Sequence, residues 1–183
     1  NGVTNSYEST HAFINSTLII SPQQIIQNGT LIIKGDEIIR ANADTTLPKG
    51  AIVHDMRGKY IYPSFIDLNS NYGLKKPKKV KWKPSPQYMS KTKSGAGWNE
   101  AIHPEFNANS LFAYDEKEAD SYRSAGFGVV LSHQSNGIAR GSGLIATLAD
   151  GTENKSILKG KASAHYSLSK GTSRQKYPSS LMG

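Results

Sequence analysis

The chain has 183 residues, of which 37% are hydrophobic, and a formal net charge of +8. This length predicts one domain or two small ones, and the absence of Cys excludes both a disulfide framework and a thiolate metal site. No apolar run approaches the roughly 20 residues that cross a bilayer, so we predict no membrane span.

The first sixty residues predict a small antiparallel β-structure. Residues 11–20 are rich in β-forming side chains, and shorter strands are predicted at 30–34, 37–41 and 52–56. Between residues 11–20 and residues 30–34, Asn28-Gly29 is the strongest short hairpin signal and predicts a turn.

The stretch from Lys59 to Gly73 carries the first candidate site. One apolar run leads into Pro63, and a second ends at Asp67. Asn69 and Asn71 follow at a spacing of two, which places both side chains on the same face of an extended strand. We therefore expect Asn69 and Asn71 to point at one spot at the end of a buried strand.

Lysines are concentrated in the segment that follows. They occupy positions 75, 76, 78, 79, 81, 83, 91 and 93 with no acidic residue among them. Prolines and glycines between 74 and 110 predict a long irregular insertion, either a lid or a surface flap. We favour a solvated loop without a nucleic-acid partner, because the run lacks Arg. The alternative, nucleic-acid binding, would show a steep salt dependence.

A helix followed by a buried strand is predicted next. Asp115 caps the helix with Glu118 in a capping box, and Gly126 ends it. The strand 127–132 then completes a unit typical of a parallel sheet. A small hairpin is predicted from residues 144–148 and 156–158.

Two further candidate residues follow that strand. His133 comes directly after it, where a side chain faces the mouth of a parallel barrel, although a loop His bonded to backbone is the plainer interpretation. Arg140 lies in a loop rich in Gly and Ser, whose backbone N–H groups favour an anion. The five His show no pair at metal-ligand spacing.

The stretch around Asp67 resembles the first barrel strand of the metal-dependent amidohydrolases, whose pattern is Pro-Gly-apolar-apolar-Asp-x-His-x-His. The pattern is matched at Pro63, Phe65, Ile66 and Asp67, and Ser64 replaces the Gly. The order of strands and turns from Phe13 onward also resembles the family. The segments Ala125-Gly126-Phe127 and Gly137-Ile138-Ala139-Arg140-Gly141 resemble a subgroup of large, exported bacterial members, which implies a periplasmic location.

The resemblance implies an α/β fold with a β-rich N-terminal part. Residues 1–58 would form a portion of the family β-sandwich. Residues 59–183 would start the (β/α)-barrel, interrupted by the insertion at about 74–110. A complete barrel needs roughly 250 residues, so the chain is expected to be the front part of a longer protein.

The motif departs from the family at its two metal positions, where Asn69 and Asn71 replace the two His. An amide oxygen is a weak ligand for zinc or another divalent metal, so we expect a degenerate site with no cofactor in this chain and no catalytic residue. Asp67 would fix the end of the strand.

The family hydrolyses C–N bonds of amides with a metal-activated water. The resemblance therefore implies an N-terminal fragment of an amidohydrolase-like protein, inactive alone, acting with the rest of its chain on a small-molecule or peptide amide. The alternative is a non-catalytic scaffold or substrate-binding module that accompanies an active amidohydrolase domain.

Overall fold

A computed structural model describes residues 9–76, 99–149 and 153–182, in two compact units, Asn1–Pro63 and Ser64–Gly183. Most of the predicted Lys- and Pro-rich insertion lies outside the described residues. Within them, no helix is long and apolar enough to cross a membrane.

The first unit is one mixed sheet. Its strands are β1 (Thr10–Ser21), β2 (Gln24–Lys34), β3 (Glu37–Asn42), β4 (Ile52–Asp55) and β5 (Tyr60–Ile61). The order is β3-β2-β1-β4, with β5 also pairing with β1. The pairs β1–β2 and β2–β3 are antiparallel, whereas β4 and β5 run parallel to β1. The prediction of a purely antiparallel structure is therefore wrong in this detail.

The predicted turn at Asn28-Gly29 is also wrong. The β1–β2 turn is at residues 22–23, and Asn28 lies inside β2 with a φ of 50°. The pairing shifts between Ser16↔Gly29 and Leu18↔Ile26, so the Asn-Gly pair marks a β-bulge. A Cβ on Gly29 would come within 2.6 Å of the Leu18 side chain, and this close approach explains the glycine.

The second unit contains β6 (Phe65–Ser70), β7 (Phe127–Ser132), β8 (Ala139–Thr147) and β9 (Ile157–Tyr166), ordered β6-β7-β8-β9. β6 and β7 are parallel, and the other pairs are antiparallel. Its described helices are α1 (Ala108–Leu111), α2 (Glu116–Ser124) and α3 (Glu153–Ser156). A β-rich chain with two mixed sheets and few helices confirms the coarser part of the predicted fold.

The stretch from Lys59 to Asp67 does not form one strand. Ile61 pairs with Leu18 in the first sheet, whereas Phe65 opens β6 in the second. The chain leaves one sheet and enters the other across Tyr62, Pro63 and Ser64. The proline explains this break, because it has no N–H to donate to a central ladder.

Tyr72 organises the core of the second unit. It is fully buried, and its ring makes edge contacts with Phe112, Tyr114 and Tyr122. The hydroxyl donates to the carbonyl of Asp115 at 3.2 Å, and burial raises the pKa of Tyr72 to about 12. Since Tyr72 lies two residues after the end of β6, this packing fixes the end of that strand.

The helix between the two parallel strands begins and ends as its sequence predicts. The Asp115 carboxylate accepts from the N–H of Glu118 at 2.9 Å, which caps α2. Gly126 has a φ of +91° and turns the chain from the helix into β7. The caps therefore set where β7 starts, and with it the position of His133 at the far end.

Candidate functional site

The candidate site lies where the two parallel strands end side by side. Asn69 is near the carboxyl end of β6, and His133 directly follows β7. The N–H of His133 donates to the carbonyl of Ser70 at 2.9 Å, which extends the pairing of the two strands by one step. In open and barrel-shaped parallel sheets, ligand sites are found at this end of the strands.

A hydrogen bond joins Asn69 to His133. The Oδ1 of Asn69 lies 2.9 Å from Nε2 of His133, and the carbonyl of Gln134 lies 2.9 Å from Nδ1. His133 is only 4% exposed, so both ring nitrogens rely on these partners. The carbonyl of Gln134 can only accept, so Nδ1 carries the proton of that bond, and the Asn69 amide, with one acceptor and one donor group, can serve Nε2.

His165, on β9, stacks face to face on His133. The ring centroids are 3.6 Å apart, and the planes differ by 10°. The Oγ of Ser163 is 2.6 Å from Nε2 of His165. Burial, followed by the charges of His133 and Arg140, lowers the pKa of His165 from 6.5 to about 4. His165 is therefore neutral at pH 7.

A glycine makes room for this stack. Gly143 on β8 pairs with Ser163, and a Cβ there would come within 2.7 Å of both the Ser163 hydroxyl and the His165 ring. Any larger residue at position 143 would displace one of these side chains. The glycine at position 143 of β8 therefore serves the packing of His165.

Arg140 lies on β8, so its predicted place in a loop is wrong. The pairing of β8 with β9 shifts between Ala139 and Ser142, and Arg140 falls within this shift. Its Nε donates to the carbonyl of Gly137 at 2.9 Å. Among the described residues the guanidinium has no carboxylate partner, and burial lowers its pKa.

The other two predicted site residues do not reach His133. Asp67 is half-buried, and its Oδ1 accepts from the N–H of Asn69 at 2.9 Å. Asn71 lies after β6, where its carbonyl accepts from the N–H of Leu74 at 3.1 Å. Among the described residues of the predicted set, a hydrogen bond between two side chains joins only Asn69 and His133.

The donor set does not fit a metal ion. No group of three or more His, Asp or Glu that could hold a metal is found among the described residues. The amide of Asn69 and both nitrogens of His133 are already engaged with each other or with backbone. A metal would have to displace these hydrogen bonds and would gain a weak amide ligand in return.

Sequence reasoning did not find His165 and Ser163. The predicted hairpin ended at residue 158, whereas β9 continues to Tyr166. The signal that was present is the spacing of two between Ser163 and His165, which places both on one face of a strand. It becomes meaningful only when the pairing of β8 with β9 is known.

No family model and no curated protein matches the sequence. Among solved structures, an amidohydrolase from Thermotoga maritima MSB8 matches 88% of this chain with a TM-score of 0.64 and 17% identity. The chain therefore has a fold similar to part of that structure, and it spans 39% of its length.

Two further solved structures align over shorter segments. A prolidase bound to N-methylphosphonate-L-proline aligns over 37% of this chain and 17% of its own, with 19% identity and a TM-score of 0.34. Phenylurea hydrolase B aligns over 34% of this chain and 14% of its own, with 29% identity and a TM-score of 0.32. These alignments are too partial to define a fold.

Proposed function

We propose that the chain is the N-terminal portion of an amidohydrolase-like protein that acts on a small-molecule or peptide amide, and that its share of the metal site is degenerate. Residues 1–58 would belong to the β-sandwich and residues 59–183 to the start of the barrel. The observation that carries this proposal is the 2.9 Å hydrogen bond between Asn69 and His133 at the carboxyl ends of β6 and β7.

Asn69 and His133 are already hydrogen-bonded to each other, which limits what they can bind. In the family, the positions of Asn69 and Asn71 carry His, which supplies a neutral nitrogen to a divalent metal. Here Asn69 is bonded to His133 and Asn71 contributes an amide. Stacking on His165 further holds the ring of His133 in place. The region is built as a hydrogen-bonded polar cluster, which suits ligand binding better than activation of water.

The same observation favours the second candidate, a non-catalytic scaffold or substrate-binding module. In that case an active amidohydrolase domain, with an intact His-x-His strand and its zinc or other divalent metal, would lie elsewhere in the parent reading frame. Its presence or absence there distinguishes the two candidates. Export to the periplasm stays a prediction of the sequence alone.

Exposed apolar side chains on β6 support the expectation of a longer protein. β6 lies at the edge of its sheet in the described residues. Its Phe65, Ile66 and Leu68 are 55%, 59% and 69% exposed. Parallel strands are normally covered on both faces. The remainder of the parent chain, or a second amidohydrolase domain, would cover these side chains.

Zinc binding tests the proposal. Isothermal titration should detect no stoichiometric zinc site in the natural chain. The double variant Asn69→His/Asn71→His should bind zinc at least about tenfold more tightly than the natural chain, a change of about 1.4 kcal/mol. The matched control is Glu37→His/Ile39→His, which places two His at the same spacing on exposed β3.

Two outcomes would contradict the proposal in different ways. Tight binding of one zinc by the natural chain, lost in Asn69→Ala, would show that the site is a working one. A double variant that binds no better than the control on β3 would show that the end of β6 is not a metal position, and the family interpretation of Asn69 and Asn71 would be wrong.

A further inference from the structure

Asn28 and Gly29 form an exposed Asn-Gly pair in the middle of β2. The ladder pairs Gly29 with Ser16 and Ile26 with Leu18, so Asn28 lies in the bulge between two paired steps. Asn28 is exposed, and its side chain makes no hydrogen bond to another described residue. Its amide is therefore able to turn towards the backbone that follows it.

An Asn side chain in this situation can react with its own chain. The backbone nitrogen of the next residue attacks Cγ of the Asn, which requires the two groups to approach closely. Gly obstructs this approach least, because it has no Cβ. An Asn that precedes Gly is therefore the Asn most prone to cyclise, provided that the surrounding structure permits the approach.

The bulge favours the local opening that the reaction needs. The nitrogen of Gly29 has to turn out of its strand to reach Cγ of Asn28. A bulge leaves one residue unpaired and disrupts the ladder around it. Local opening costs least where backbone hydrogen bonds are few and exposed to solvent. We therefore expect the chain at Asn28 to open more often than the rest of β2.

Asn136-Gly137 is the second Asn-Gly pair of the described residues, and there the side chain is held. The Oδ1 of Asn136 accepts from the N–H of Thr172 at 2.8 Å, and the residue is half-buried. Gly137 is buried, and a Cβ there would come within 2.9 Å of a backbone carbonyl oxygen. This packing restricts the rotation that would bring the Asn136 amide onto the nitrogen of Gly137.

We propose that Asn28 is a site of spontaneous deamidation and isomerisation in the folded chain. The nitrogen of Gly29 loses its proton to a base in the solvent and forms a bond with Cγ of Asn28. The bond between Cγ and the amide nitrogen breaks, and that nitrogen leaves as ammonia. Water then opens the cyclic imide at one of its carbonyls, which yields aspartate or isoaspartate. The reaction consumes only water.

Isoaspartate at position 28 would alter the bulge. Its backbone runs through the former side chain, so the chain gains an additional atom before Gly29. Gly29 packs closely on β1, because a Cβ there would lie 2.6 Å from the side chain of Leu18. A shift of Gly29 would disturb this contact. The product is therefore expected to weaken the pairing of β1 with β2 and to destabilise the first unit.

Peptide mass spectrometry of the natural chain, incubated in mildly alkaline buffer, tests the proposal. The signal is the gain in mass that accompanies the replacement of NH2 by OH. Fragmentation must locate it, because Asn1-Gly2 lies in the same tryptic peptide as Asn28. In the folded chain, Asn28 should deamidate at least about tenfold faster than Asn136. In concentrated urea the two rates should become similar, since Gly follows both residues.

Two outcomes of this experiment would overturn the proposal. Equal rates at Asn28 and Asn136 in the folded chain would show that the bulge and the hydrogen bond to Thr172 make no difference. Reaction of Asn28 in urea alone would show that the folded bulge protects the residue.

Asn28→Gly is the matched variant, because Gly lacks the reacting amide and accepts the φ of 50° at this position. After incubation, the natural chain should unfold at a lower urea concentration than a fresh sample. The variant should keep its midpoint. An equal loss in both proteins would contradict the assignment of the reaction to Asn28.

Discussion

The two units each contain a pair of His, and the two pairs are built differently. In the first unit, Nδ1 of His11 lies 3.0 Å from Nε2 of His54. The ring centroids are 5.3 Å apart with 15° between the planes, so the rings meet edge to edge. In the second unit, the centroids of His133 and His165 are 3.6 Å apart, and the rings meet face to face.

The difference decides what each pair can do. The two rings of an edge-to-edge pair form a hydrogen bond with each other, because one ring nitrogen donates its N–H and the other accepts it. Phe13 packs on His54 at 4.7 Å and completes this arrangement on β1 and β4. A face-to-face pair shares no hydrogen bond, so its nitrogens must find other partners. Asn69, Gln134 and Ser163 supply them in the second unit.

Contact between two His does not by itself identify a site. The pair of the first unit is a closed structural contact between two parallel strands. His133 of the second pair lies at the carboxyl ends of the parallel strands β6 and β7, where its ring is bonded to Asn69. Only the second pair therefore lies at the strand ends where ligand sites are found.

The largest expected effect comes from truncating one ring of each pair. His133→Ala removes a side chain that is 4% exposed, together with its stack and two hydrogen bonds. We expect it to lower the free energy of unfolding by about 2–3 kcal/mol. His54→Ala, at a half-buried position, should cost about 1 kcal/mol or less.

Urea unfolding followed by far-UV circular dichroism measures both variants. Equal losses of stability for His133→Ala and His54→Ala would contradict the claimed difference between the pairs. A larger loss for His54→Ala would reverse it.

The pH dependence of stability reports on the environment of His165. The pKa of His165 falls from 6.5 to about 4 on folding, chiefly through burial and then through the charges of His133 and Arg140. Between these values the unfolded chain binds more protons than the folded chain. Stability is therefore expected to decrease as the pH falls from about 6.5 towards about 4.

Urea unfolding at several pH values, compared between the natural chain and His165→Gln, isolates this contribution. The decrease over this window should be smaller in the variant. The carboxylates of Asp44 and Asp55, whose pKa values are lowered from 3.8 by hydrogen bonds, act below this window. An identical pH dependence in both proteins would show that His165 does not stay neutral in the folded chain.

The smallest expected effect distinguishes the two Asn residues. Asn69→Ala removes the hydrogen bond to His133 and should cost about 1 kcal/mol. Asn71→Ala removes no side-chain hydrogen bond to a described residue and should cost less than about 0.5 kcal/mol. The ring signals of His133 in an NMR spectrum should move in the first variant only. Equal movement in both would mean that the two amides share the site.

Local features of the fold could be predicted because their causes lie within a few residues. The capping box at Asp115 and the left-handed Gly126 set the bounds of α2 and the start of β7. The short apolar run 127–132 identified the strand that follows. The approximate place of His133 followed from these neighbours.

Features that depend on pairing between distant segments could not be predicted. The sequence at Asn28 is typical of a turn, and it is recognised as a bulge only because β1 pairs with β2 on both sides of it. Ile61 and Phe65 lie in neighbouring apolar runs, and only the tertiary structure shows that they belong to different sheets. His165 joins His133 through the register of β8 and β9, which no local pattern encodes.

Long-range ¹H–¹⁵N NMR of the His133 imidazole reports whether both ring nitrogens stay hydrogen-bonded when zinc is present. The spectrum would be recorded before and after addition of one equivalent of zinc. If hydrogen bonds to Asn69 and Gln134 occupy both nitrogens, the signals of His133 will be unchanged by zinc, and they will shift in Asn69→Ala. A zinc-dependent shift of the Nε2 signal that disappears in Asn69→Ala would contradict the claim, because it would show a working metal site at the ends of β6 and β7.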